Sequence, residues 1–206
     1  MRIKPTLRHF CVVAFSTAML IACNNNDSKP VEGVNPDTLS GDQAHLPQNA
    51  LKGLTVANGL IIQLMATEPM LKNPTNIDVD ERGRVWVTEA YNYRPGINGN
   101  PTNPRGDRIV ILEDKNGDGV FDTSKVFYQG PELNAPLGIA VLGNQVIVSQ
   151  SPYVWIFHDD NKDDVSDRKE VLFQGIGGEQ HDHGVHSFSL HRMENCISPL
   201  VMKGKR

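Results

Sequence analysis

Two copies of one frame, Asp-x-Asn-x-Asp-x-Val-x-Asp, stand in this chain at Asp114–Asp122 and Asp159–Asp167, 45 residues apart. Each follows an apolar run, Ile109 to Leu112 in the first and Tyr153 to Phe157 in the second. Each also precedes one, Lys125 to Gly130 and Glu170 to Gly175. Short runs rich in β-branched and aromatic residues, joined by Asp, Asn and Gly, read as strands meeting at a polar turn. A period in the forties with several short strands per unit is the sequence mark of propeller blades.

The remaining strands of each unit are hairpins. From Asn73 to Glu89 two alternating runs flank a polar turn at Asp80–Gly83, and from Ala135 to Gln150 two more flank Gly143–Asn144. A third hairpin begins at His183–Leu190. Hairpin, connection, strand, acidic turn and strand give four strands per unit, so the chain is expected to be all-β and to form two to three blades of a propeller, which typically closes with four to eight. Between Ala90 and Asp107 the sequence is loaded with Pro, Gly and Asn and predicts a long loop, on which Glu89, Tyr91, Tyr93 and Arg94 are candidates to line a site. A solvated surface excursion is the competing reading. Upstream, Asn58-Gly59 signals a turn ahead of an apolar strand ending at Met65.

Residues 1–22 read as a signal peptide, with basic Arg2, Lys4 and Arg8 before an apolar middle from Phe10 to Ala22. The end of this stretch, Leu20-Ile-Ala-Cys23, resembles a bacterial lipobox, which makes Cys23 the expected lipidation site and a lipid-anchored position in the bacterial cell envelope the expected location. Residues 23–48, rich in Asn, Asp, Ser, Pro and Gly, follow as a solvated tether. The propeller segment is then 49–190. The chain has three cysteines; Cys11 lies in the signal peptide and Cys196 in the tail, so the domain has no cysteine pair and no Cys-x-x-Cys motif for zinc or haem. Twenty basic residues stand against 24 acidic ones with no basic stripe, so nothing in the charge supports nucleic acid as a partner.

Residues 191–206 break the pattern: where a turn and a returning strand are due, the chain reads His191-Arg-Met-Glu-Asn-Cys-Ile-Ser-Pro. Codons for this tail can be read in another frame as a turn followed by a strand. The expectation is therefore a tail out of frame after Leu190 and a chain that is an inactive fragment as it stands. A partial propeller also leaves an unpaired edge and an uncovered face.

Two features carry chemistry. In the first acidic turn Asp114, Asn116, Asp118, the carbonyl of Val120 and Asp122 place hard oxygen donors at alternate positions, as calcium loops do. The second offers Asp159, Asn161, Asp163, the Val165 carbonyl and Asp167, with Asp164 where the first has Gly119, so weaker Ca2+ binding is expected there. Solvent-facing turns need the same residue types, and both readings stay open. The other feature is the cluster Glu179, His181, Asp182, His183 and His186. Extended backbone would turn His181 and His183 to one face and His186 to the other, which suits a corner of a metal site, a general base, or histidines satisfied by hydrogen bonds at a strand end.

The blocks Ala66–Pro69, Gly83–Glu89, Arg108–Gly119 and Gly175–His183 together resemble the bacterial "membrane-bound dehydrogenase domain" propellers, relatives of the quinoprotein glucose/sorbosone dehydrogenases. The resemblance runs from Leu51 to Leu190. It implies a six-bladed, secreted or lipid-anchored propeller, often fused to a c-type haem domain, that binds pyrroloquinoline quinone with calcium and takes a sugar hydroxyl proton by a histidine. In those relatives the histidine precedes the proline of a Gly-Pro-Asp-Gly-type turn by nine residues. Counted into the frame-corrected tail, that spacing marks His183 as the catalytic base. The residues that hold the quinone in the relatives have no counterparts in this chain, and no haem motif is present.

The reading is thus a lipid-anchored sugar or alcohol dehydrogenase-like propeller. Its partners would be the membrane, a sugar substrate and, in a full-length protein, a haem c domain or other electron acceptor. Two rivals stay open: a calcium-dependent, lactonase-like propeller hydrolase, and a non-catalytic propeller that binds glycans or proteins at the cell surface.

Overall fold

The structure, a computed structural model, describes residues 43, 46–99, 101–175, 184–191 and 196–201. The expected signal peptide, Cys23 and most of the expected tether lie outside the described residues, as do Glu179, His181, Asp182 and His183.

Two four-stranded antiparallel sheets follow one another along the chain. In the first, β1 (Pro74–Val79), β2 (Val85–Glu89), β3 (Arg108–Glu113) and β4 (Thr123–Gln129) pair in sequence order. The second repeats this order with β5 (Gly138–Leu142), β6 (Gln145–Gln150), β7 (Tyr153–His158) and β8 (Arg168–Gln174). A hairpin of β9 (Val185–His191) and β10 (Cys196–Val201) comes third. The expected strands of both sheets are present, and the returning strand β10 is drawn from the stretch of sequence that breaks the repeat. These are successive blades of a partial β-propeller: β1 lies against β5 and β5 against β9, so the first strand of each unit is the inner one.

Alternation along the strands explains the packing. One face of sheet one carries Trp86, Ile109, Ile111 and Phe127, and it meets Ile139, Val146, Val148 and Phe157 of sheet two in the main core. Trp86 and Phe127 meet edge to face at 4.8 Å between ring centroids, a geometry contributing about 0.5–1.5 kcal/mol beyond area burial. The other face of sheet two, with Ala140, Ile147 and Val154, is covered in part by Phe188 of β9.

The opposite face of sheet one presents Val87, Val110 and Leu112 to Ala66, Met70 and Leu71. The segment that supplies those residues is not the expected strand: residues 60–66 have no regular structure and bond to the first acidic turn, with Phe121 N–H donating to the Met65 carbonyl at 3.0 Å. The chain here packs over the open face of sheet one, where Ala66 meets the Val87, Val110 and Leu112 cluster, and it does not pair along either edge strand, β1 or β4. Ile77 and Val79 on the same face, 58% and 56% exposed, are left uncovered.

Polar groups join the inner strands. The Asn76 amide donates to the Leu137 carbonyl at 3.1 Å and to the His186 carbonyl at 2.5 Å, so one side chain of β1 reaches the other two units. Asp78 accepts from Val141 N–H at 2.7 Å, and the Ser149 hydroxyl donates to the Val185 carbonyl.

Candidate functional site

The meander topology sorts the loops between two rims. The β1–β2 and β5–β6 turns and both acidic turns fall at one end of the sheets. At the other end gather the long loop 90–107, the connection 130–137, the end of β8 and the start of β9. A six-residue strand spans about 20 Å, so this length separates the acidic turns from the rim that carries the connections.

The two acidic turns have one backbone conformation. Gly117 and Gly119 have φ of 77° and 84°, and their counterparts Lys162 and Asp164 both have φ of 62°. The hydrogen bonds repeat as well. Asp122 accepts from Lys115 N–H at 2.7 Å and from Asn116 N–H at 3.3 Å, while Asp167 accepts from Asp160 and Asn161 N–H at 2.7 and 3.2 Å. Asn116 and Asn161 cap Asp118 and Asp163 N–H at 2.8 and 2.9 Å, and those aspartates cap Val120 and Val165 N–H at 2.8 and 2.9 Å. Asp114 takes Gly117 and Gly119 N–H at 2.7 and 2.8 Å, and the Gly119 bond above all holds its carboxyl below the usual range. Asp159 takes Asp163 and Asp164 N–H, both at 3.0 Å. The oxygens of the donor set are hard enough for calcium, but here they close each turn upon its own backbone. Among the described residues no three His, Cys, Asp or Glu side chains come together as a metal-ligand group.

Asp164 has a task that its position in the turn does not foretell. Its carboxylate reaches back to sheet one, to Arg82 and Arg84, both at 2.9 Å. Arg84 is buried and also pairs with Asp80 at 2.8 Å, while Asp80 accepts the Trp86 indole N–H at 2.9 Å. Burial acts to raise the Asp80 carboxyl, but the Trp86 and Arg84 hydrogen bonds outweigh it and hold the group below the usual carboxylate range. Burial opposes the shift of Asp164 in the same way, and its two arginines prevail.

At the connection rim, pairing of Thr88 with Ile109 sets Glu89 opposite Arg108. Glu89 is 1% exposed, and its two oxygens take Arg108 Nε at 2.5 Å and Nη2 at 2.8 Å, with Lys72 N–H adding a third bond at 2.8 Å. Next to it, buried Asp107 accepts from Asn92 N–H at 2.9 Å and Ala135 N–H at 2.6 Å, which ties the long loop to the connection between sheets. Burial, with the Glu89 charge adding to it, pushes the Asp107 carboxyl up. A cavity of about 230 Å³ opens over this pair, lined by Lys72, Tyr91, Arg105 and Gln129 among others. Of the loop residues expected to line a site, Glu89 and Tyr91 do so; Tyr93 and Arg94 are not part of the lining and stack on each other, 5.9 Å from guanidinium to ring centroid. Lys72, Asp107, Arg108 and Gln129 were not singled out from the sequence; the 90–107 loop joins β2 to β3, so no tight turn announces the register that places Arg108 across from Glu89.

The same rim carries the start of β9. Gly184, the residue after His183, packs so tightly on Ser151 that a Cβ would lie 2.4 Å from the Ser151 hydroxyl oxygen. That hydroxyl is buried and has no partner among the described residues.

Residues 46–195 match the family described as "Domain of unknown function (DUF7133)". No curated protein matches the chain. Among solved structures it is similar to the holo form of the pyranose dehydrogenase PQQ domain from Coprinopsis cinerea, at 21% identity and a TM-score of 0.45, covering 61% of this chain and 26% of that one. It is also similar to a Trichoderma reesei carbohydrate-active enzyme of family AA12. The calcium structure gives 18% identity, a TM-score of 0.49 and coverage of 68% and 31%; the iodide structure gives 19%, 0.48, 67% and 31%. The chain therefore spans only 26% to 31% of the length of these structures.

Proposed function

The chain belongs to the DUF7133 family, and we propose that it forms the first blades of a lipid-anchored propeller dehydrogenase that oxidises a sugar or sugar-derived alcohol. The reading rests on the sequence blocks that resemble quinoprotein dehydrogenases. The observation that supports it is the seating of Gly184 on Ser151, at the rim where the long connections gather. His183, the proposed base, precedes Gly184 in the chain and itself lies outside the described residues.

On this reading His183 takes the proton of the substrate hydroxyl as general base. The pyrroloquinoline quinone implied by the resemblance would supply the hydride acceptor; no described residue is assigned to hold it. Calcium bound at Asp114–Asp122 or Asp159–Asp167 would brace those turns. Cys23 would carry the lipid.

The test is dye-coupled oxidation of aldoses by a full-length homologue, supplied with quinone and calcium, with the substitution made at the position that matches His183. His183→Ala is expected to lower turnover at least about 100-fold with an unchanged melting temperature. Turnover equal to wild type would remove the assignment.

A further inference from the structure

The cavity over Glu89 and Arg108 has no role in the reaction proposed above, yet it is built as a binding site. Its floor is fixed. Glu89 grips Arg108 through both oxygens, leaving Nη1 without a hydrogen bond to any described residue. Gly106, at φ +83°, lies so close to the next connection that a Cβ would stand 1.7 Å from the Gly130 carbonyl oxygen, so the wall bearing Arg105 cannot shift towards it. Gln129 donates to the Gly106 carbonyl at 3.0 Å, leaving its own amide oxygen to accept.

Charge defines what this floor would take. Three cations, Lys72, Arg105 and Arg108, face two carboxylates. Glu89 is matched to Arg108, and both oxygens of Asp107 are used by backbone N–H groups. Lys72 and Arg105 remain: both are exposed, neither pairs with a carboxylate among the described residues, and the Lys72 ammonium lies 5.3 Å from the Tyr91 ring centroid. A guanidinium fork beside an ammonium suits a planar carboxylate. The Gln129 oxygen and the Thr102 hydroxyl, also in the lining, suit hydroxyl groups. At about 230 Å³ the space is smaller than the ~300–1,000 Å³ typical of drug-sized ligands, which limits the occupant to one small molecule.

We propose that this cavity binds a small polyhydroxylated carboxylate, a sugar acid, with Arg105 and Lys72 on the carboxylate and Gln129 on a hydroxyl. The site is independent of the dehydrogenase reading, since it uses neither His183 nor a quinone.

Calorimetric titration of the full chain with gluconate, galacturonate, galactose and inorganic phosphate tests it. At least one of the two sugar acids is expected to bind, and to do so at least tenfold more tightly than either galactose or phosphate. The double variant Lys72→Gln, Arg105→Gln is expected to lose that binding tenfold or more while melting, without ligand, at the wild-type temperature. Equal affinity for phosphate would mean that the pocket reads charge alone, and equal affinity for galactose that the cations take no part. Either result overturns the proposal, as does absence of sugar-acid binding, or binding by the double variant that matches wild type. A double variant that melts lower is replaced by Arg105→Lys, which keeps the charge but not the fork and should weaken binding at least threefold; unchanged affinity would again overturn the proposal.

Discussion

The Asp164 carboxylate of the second acidic turn lies 2.9 Å from the guanidinium of Arg84 in the first sheet, across the boundary between two blades. Asp164 holds a left-handed φ of 62°, where glycine would be relaxed, so this contact is kept against a backbone preference. Replacing it with glycine, the residue of the first turn, removes that strain but leaves buried Arg84 with Asp80 alone. The pair outweighs the strain, because its loss leaves the Arg84 Nη1 donor without its Asp164 acceptor. Asp164→Gly is expected to destabilise the chain by about 1–3 kcal/mol in urea unfolding; a gain in stability would contradict this.

Acid should loosen the same boundary. Asp80 and Asp164 are both held below the ordinary value of 3.8, so the stability they contribute is fully present above that pH and is lost as pH falls through their lowered folded values. Asp107 runs the other way: its raised carboxyl favours the folded chain in acid, and that contribution disappears as pH rises from 3.8 through its folded value. The urea midpoint is expected to fall below about pH 4. In Asp80→Asn the acid slope should be visibly shallower, and an unchanged slope would assign acid sensitivity to other groups.

Gly106 should tolerate no side chain. Its φ of +83° opposes one, and so does the Gly130 carbonyl oxygen, 1.7 Å from where a Cβ would stand. Gly106→Ala is expected to cost at least about 2 kcal/mol and to expose the loop 90–107 to proteolysis. An intact loop and an unshifted midpoint would show that the wall of the cavity yields.

Asp122 gathers two N–H groups and, at 3.1 Å, the Asn116 amide, which makes it the closing residue of the first turn. Asp122→Asn is expected to lower the melting temperature by a few degrees. On the calcium reading, added calcium should raise the melting temperature of wild type but not of this variant. A matching rise in both would remove calcium from the turn.

Strands and turns were legible in the sequence because their causes are short-ranged. Alternation of apolar residues from Ile109 to Leu112 and from Val146 to Val148 fixes which side chains enter a core, and Asp, Asn and Gly fix where the chain reverses. The 45-residue frame therefore marked the outer strands of both sheets with their turns. It also led to Glu89 and Tyr91, which border the longest loop.

Tertiary structure decided what those elements do. Residues 60–66 are as apolar as a strand but are used to cover a sheet face, with Ala66 packed against the Val87, Val110 and Leu112 cluster. Asp164 reads locally as a defective glycine position, and only the packing of sheet two on sheet one brings it to Arg82 and Arg84, some 80 residues earlier. Asn76 meets His186, 110 residues away, because three inner strands converge. The sequence alone determined the blades; which rim each candidate site occupies, and which charges meet there, depended on sheets facing one another, and periodicity within a strand does not encode that.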